Sequence, residues 1–187
     1  MGNTGYAAAA GPYNGLPLPP NEAPPMNSFT HLDEKGQMHM VDVGGKPETL
    51  RRATATCRVV VGPKVYPLLL AGRLPKGDVW AAARLAGIMA AKNTSQLIPL
   101  CHPLPLAGVD LDFIPEPGEW AVAIRAKVST CARTGVEMEA LTAAAVAALT
   151  IYDMCKAVDR GLIITGLMLL EKSGGASGEY HRETATP

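Results

Sequence analysis

Hydrophobic and polar positions change period several times along this chain, and each change predicts an element. RATATCRVVVG, from Arg52 to Gly62, alternates with a period of two and is rich in Thr and Val, which predicts a strand. PKVYPLLLAG follows, a short helix with Pro63 in its first turn, made irregular by Pro67. Asp78 is a good N-cap for a helix over about 79–92, VWAAARLAGIMAAK, whose Ala and Gly positions suit close packing. NTSQLIPLCHPLPL carries Pro99, Pro103 and Pro105 and is expected to be non-helical. Strands are predicted near 106–114 and 119–131, joined by the turn PEPG. The longest periodic stretch, TGVEMEALTAAAVAALTIYDMCKAVDR, predicts a helix over 134–160. A capping box between Thr134 and Glu137 would open that helix and Gly161 would end it. A last strand is expected over 162–172.

Strand, helices, strand, strand, helix, strand is the ferredoxin-like order. It predicts an α+β fold with a four-stranded, mainly antiparallel sheet and helices packed on one face. The strings VVV and LMLL are apolar on both alternations, so the uncovered face is expected to meet another subunit.

Polar residues on the long helix are the first sign of a site. At a hundred degrees per residue, Glu139, Thr142, Val146 and Asp153 share a stripe, and Lys156 lies three residues beyond Asp153 on the same side. Ala, Leu, Ile and Val surround that stripe, and charges on a mostly buried helix are costly unless paired or used. Two further patches stand out: Lys76 in the turn LPKGD, and Cys101-His102-Pro103 in an apolar loop. Each also has an ordinary reading. Lys76 could be a solvated loop lysine, His102 a packed imidazole, and Asp153 with Lys156 an i,i+3 structural pair. Glu137 reads as a cap, and the scattered cysteines give no zinc spacing. No Gly-rich phosphate loop, HExxH or GxSxG occurs.

Composition narrows the classes. At 187 residues and 48% hydrophobic content the chain can fill one sizeable core. Its formal net charge of zero gives no reason to expect nucleic acid or an anionic membrane as partner. Uninterrupted apolar runs such as LIITGLMLL are too short to span a bilayer. Four cysteines without paired spacing suggest reduced thiols and a cytoplasmic protein. Residues 1–27 are rich in Gly, Pro and Ala, carry no Lys or Arg, and read as a disordered tail. One catalytic domain is expected over 28–173, then a flexible Gly/Ser-rich tail over 174–187.

Three strings carry a resemblance: MVDVGGKPET, LPKGDVWAAARLAGIMAAKNTSQLIPLCHPLPL and TGVEMEALTAAAVAALTIYDMCKAVDR. Together they resemble the MoaC family of cyclic pyranopterin monophosphate synthases, and the likeness runs from about Ser28 to Lys172. The resemblance implies a lyase of molybdenum cofactor biosynthesis. Its substrate would be 3′,8-cyclised dihydro-GTP, and its products cyclic pyranopterin monophosphate and pyrophosphate. It further implies a hexamer, built as a trimer of dimers, with sites at the dimer interface. Carried over by motif, Leu100, Cys101, His102, Met138 and Glu139 would contact substrate, and Asp153 would be the catalytic acid/base, supported by Lys76 and Lys156. No resident metal is implied, although Mg2+ could accompany the triphosphate.

Residue chemistry suits that reaction. Its proton transfers need a carboxylate and one or two amines, and two neighbouring lysines in a partly dry cleft would push one another toward a lower pKa. Arg51 and Arg52 are candidates for further triphosphate contacts. Because one small subunit offers little concavity, each site is expected to combine two chains. Asp153 and Lys156 would come from one, and some of Lys76, His102 and the Arg51–Arg52 pair from the other. The competing class is a non-catalytic small-molecule-binding module on the same fold. An RNA-binding sheet fits less well, since the strands offer only Phe113 and Trp120 for stacking.

Overall fold

The computed structural model describes His31 and residues 36–183. It divides into two units, Met1–His39 and Met40–Pro187. The expected tail over 1–27 lies outside the described residues. In the first unit the His39 N–H donates to the His31 carbonyl at 3.0 Å.

Among the described residues, every helix and long strand lies in the second unit. Their order is β1 (Thr49–Val60), α1 (Gly62–Leu70), α2 (Val79–Lys92), α3 (Thr94–Leu97), β2 (Leu106–Glu116), β3 (Ala121–Ala132), α4 (Glu137–Cys155), β4 (Ile163–Ser173) and β5 (Tyr180–His181). The sheet is antiparallel throughout, in the order β2-β3-β1-β4-β5. Both β1 and β2 pair antiparallel with β3, so they run the same way with β3 between them. The helices of the first crossover bridge that gap, and α4 carries the chain from β3 past β1 to β4. The fold is ferredoxin-like α+β, with a fifth strand at one edge.

That fifth strand modifies an expectation. Residues 174–183, read as flexible, fold back on β4: β5 pairs with Glu171 and Lys172, and the Arg182 N–H donates to the Leu170 carbonyl at 2.8 Å. Residues 184–187 lie outside the described ones.

Alternation places the core. Ala53, Ala55, Cys57 and Val59 of β1 and Val122, Ile124, Ala126 and Val128 of β3 point to the helix side and are buried. Small residues on α4, Ala140, Ala143, Ala144, Ala147 and Ala148, let that helix approach closely. Gly87 serves the same purpose on α2, because a Cβ there would meet the Leu111 side chain and the Ala143 carbonyl. By length and composition α4 could cross a membrane, but here it is the core helix of this layer.

The opposite phase is mainly polar across β1 and its neighbours in β3 and β2, although Ile163 and Leu167 of β4 and Ile114 of β2 are exposed. Arg52, Thr54, Thr56 and Arg58 of β1 stand in register with Ser129, Lys127, Arg125 and Ala123 of β3, and Asp110 and Asp112 of β2 continue two of those rows. The apolar outer face expected from VVV and LMLL is therefore absent over most of the sheet. A run apolar on both phases is only a few residues long, whereas the alternation governs the whole strand.

Boundaries shift where local signals compete. Asp78 caps α2 as expected, accepting from the Ala81 N–H at 3.0 Å. NTSQL does make one helical turn, α3, before Pro99 stops it. The Thr134–Glu137 capping box does not form: α4 begins at Glu137 with Val136 as N-cap and no side-chain cap. Glu137 instead lies over Gly135, where a Cβ would collide with its carboxylate. The helix also stops at Cys155, six residues before Gly161, in a turn closed by Val158 N–H to the Cys155 carbonyl at 2.9 Å.

Candidate active site

Lys76 reaches the far end of α4 because the turn before α2 aims it there. Gly77 has a φ of +91°, a backbone conformation that favours glycine, and Asp78 then starts the helix. The Lys76 ammonium donates to Asp153 Oδ2 and to the Asp153 backbone carbonyl, each at 2.8 Å. Lys156, the C-cap of α4, sits 2.6 Å from Asp153 Oδ1. One carboxylate therefore holds two ammonium groups.

These three residues are exposed, with 55% of the Asp153 side chain open to solvent. The stripe expected to lie largely buried instead divides, because the core side of α4 is filled by its alanines and Ile151. Glu139 and Thr142 are buried, whereas Asp153 and Lys156 are not. The dry cleft expected around the lysines is absent from the single chain.

Hydrogen bonds from Lys156 and then Lys76 hold the Asp153 carboxyl down at about 2, against an ordinary 3.8. A depressed folded value stabilises the native state above the unfolded pKa and is lost as pH falls through the folded one. The affected window is therefore between about 4 and about 2. At neutral pH Asp153 is ionised. Titrating its carboxyl carbon by NMR should give a midpoint near 2, and Lys156→Ala should raise it more than Lys76→Ala does. A midpoint near 4 in the unmodified protein would mean that the paired geometry does not persist in solution.

The other end of α4 has different chemistry. Glu139 is 4% exposed. Burial, reinforced by the charge of Glu137, raises its pKa against the lowering effect of a hydrogen bond from its own backbone N–H. Such a carboxyl retains its proton more readily than an exposed one. Cys101 lies close enough for Glu139 to act on it: burial first, and then the Glu139 charge, push its thiol up. His102 Nε2 is 2.8 Å from the Val41 carbonyl oxygen. Prolines 99, 103 and 105 hold this loop out of helix, leaving Leu100, Cys101 and His102 half-buried, and Met138 is at the surface. Lys172, which the sequence reading passed over, faces Glu137 at 3.8 Å. Its signal was a lysine in register with the buried Ala53, at a position phased toward the helices.

Arg51 and Arg52 part company, as neighbours on a strand must. Arg51 donates to the carbonyls of Ala132, Arg133 and Gly174, each at 3.3 Å, and so ties together the ends of three strands. Arg52 points to the outer face, where it lines an open hollow of about 580 Å3 with Thr54, Lys127, Ser129, Glu171 and His181. As a pair they cannot grip one ligand from one chain.

The MoaC family model matches residues 40–175, most of the chain. The chain belongs to the MoaC family. It is 56% identical over 158 residues to a protein of Pelotomaculum thermopropionicum, covering 84% of this chain and 93% of that one. A protein of Thermomicrobium roseum is 58% identical, with coverages of 84% and 95%. One of Heliobacterium modesticaldum is 55% identical, with coverages of 84% and 99%. All three are named cyclic pyranopterin monophosphate synthase.

In this MoaC-family chain the two clusters are far apart. Glu139 and Asp153 are fourteen residues apart on one continuous helix, about 21 Å along its axis. Reacting atoms meet acid and base groups at about 3 Å, so the two carboxylates of one chain cannot act on one bond. Lys76, expected opposite Asp153 across an interface, instead binds it within the chain. Among the described residues, no three His, Cys, Asp or Glu side chains gather into a metal-holding group. All four cysteines are free thiols.

Proposed function

We propose that this MoaC-family chain is a cyclic pyranopterin monophosphate synthase. It is a lyase that converts 3′,8-cyclo-7,8-dihydro-GTP to cyclic pyranopterin monophosphate and pyrophosphate, an early step of molybdenum cofactor biosynthesis. The observation that carries this reading is the high identity, across nearly the whole length of both proteins, to relatives of that name. Nothing comparable supports a non-catalytic module.

The geometry suggests a division of roles. The paired ammonium groups of Lys76 and Lys156 suit the charge that develops when a hydroxyl attacks phosphorus and pyrophosphate leaves. Asp153, ionised and a weak base at about 2, is the anchor that aims both lysines. Glu139, buried and with its pKa raised by that burial, suits proton transfer on the pterin ring. Cys101, which feels the Glu139 charge, would contact substrate there together with its neighbours Leu100 and His102 and with Met138 beside Glu139, and Lys172 faces Glu137. A Mg2+ travelling with the triphosphate would be held by phosphates and water rather than by a protein cage.

A complete site on this reading takes one cluster from each of two copies. Val146 lies midway between Glu139 and Asp153. A second copy laid antiparallel along α4 with a two-fold axis near Val146 would set its Glu139 opposite Asp153. Leu149 on α4 and Leu85 and Met89 on α2 are exposed apolar residues of the helix layer that such a copy would cover. A hexamer of three such dimers, in the cytoplasm, completes the proposal.

Supplying the purified protein with 3′,8-cyclised dihydro-GTP tests the reaction. Equal amounts of pyrophosphate and cyclic pyranopterin monophosphate are expected. Binding without pyrophosphate release would instead favour the module.

A further inference from the structure

The segment Val41–Glu48, ahead of β1, has no ladder bonds to hold it, yet it is fastened at several points. Its own turn is closed by the Gly44 N–H on Asp42 Oδ1 at 2.7 Å and the Lys46 N–H on the Val43 carbonyl at 3.0 Å. Two side chains from distant parts of the chain then pin its main chain. His102 contacts the Val41 carbonyl at 2.8 Å, and Arg133 donates to the Gly44 carbonyl at 2.8 Å. Arg133 also faces Glu48 at 3.7 Å, and its own carbonyl accepts from Arg51. Arg133 immediately follows β3, so the segment is moored to the end of the sheet from which α4 starts.

The contact at His102 has a chemical consequence. A backbone carbonyl only accepts, so the ring nitrogen beside it must donate. Neutral imidazole carries one N–H, and if Nε2 holds it, Nδ1 is left with a lone pair. Without such a partner the two tautomers would exchange freely, and a proton acceptor would be in place only part of the time.

We propose that the segment Val41–Glu48 is a strap whose Val41 carbonyl fixes the tautomer and orientation of His102, presenting Nδ1 as its proton acceptor, and that Arg133 is the positioning residue that keeps the strap in place. This rests on the reading above that His102 belongs to the site. It assigns Arg133 and the main chain of residues 41–44 a part in the reaction without contact to substrate.

The strap and the reaction can be tested separately. In the full-length 15N-labelled protein at alkaline pH, long-range proton–nitrogen correlation should show His102 as the Nε2–H form. In Arg133→Ala, the amide protons of residues 44–46 should exchange at least about tenfold faster, the His102 signals should move toward a mixture of tautomers, and kcat/KM should fall roughly 10- to 100-fold. Arg133→Lys, which keeps a donor, should recover part of each. An Nδ1–H tautomer in the unmodified protein would overturn the proposal. So would an Arg133→Ala protein with unchanged exchange, or one with a loosened strap but unchanged tautomer and kcat/KM. If the tautomer and exchange results hold but no turnover is found in the unmodified protein, the strap stands and the assigned reaction falls.

Discussion

Asp153→Asn should lower turnover at least about 100-fold while leaving the fold intact. The substitution is nearly isosteric and removes only the charge. Asp153 is exposed, and exposed ion pairs contribute little to stability, so the melting temperature should hardly move. What goes is the common charged anchor of two ammonium groups: Lys156 would lose its ion pair, and Lys76 would keep only its bond to the backbone carbonyl of residue 153. Measuring kcat on the purified variant, with its mass and melting curve as controls, decides the matter. Near-normal activity would remove Asp153 from the site, and the two lysines with it.

Mixing two dead variants should restore activity only when the variants come from opposite ends of α4. On the proposed two-chain site, Asp153→Asn and Glu139→Gln exchanged into mixed dimers would build one intact site per mixed dimer from the unaltered halves. Random exchange then regenerates about a quarter of the sites. Asp153→Asn mixed with Lys76→Ala should stay dead, because those residues share one cluster in one chain and no exchange separates them. The contrast between the two mixtures is the measurement. Equal recovery in both would place Lys76 and Asp153 on different sides of the interface. No recovery in either, with mixed oligomers verified by mass, would mean that each chain builds its site alone.

Much of the fold follows from local chemistry. Asp78 caps α2 because a short carboxylate before an apolar run has a free N–H to accept from, and neither partner is far away in sequence. The strands follow from alternation, since burial on one face imposes a period of two on β1 and β3. Family membership was legible for a related reason: the strings around Lys76, His102 and Asp153 are long and specific. The misreadings arose where two local signals competed. Thr134 and Glu137 satisfy the pattern of a capping box, but Gly135, lacking a Cβ, leaves room for the Glu137 carboxylate to lie over it, and Lys172 offers that carboxylate another partner. Gly161 looks like a helix stop, yet the turn after Cys155 leads the chain toward β4 sooner.

The sequence by itself determined the main helices and the four long strands, their order, and which residue types were available for chemistry. Tertiary structure alone decided how those residues group. Lys76 and Asp153 are 77 positions apart and meet because a glycine turn points one helix start at another helix end. Glu139 and Asp153 share a stripe on paper, but the loop at Cys101 lies close to the first while solvent surrounds the second. Their proton affinities consequently shift in opposite directions. Periodicity reports which side of an element is apolar, because burial acts on every turn alike. It carries no information about which distant groups will lie against a given turn, and it is those groups that set a carboxylate's charge and partners.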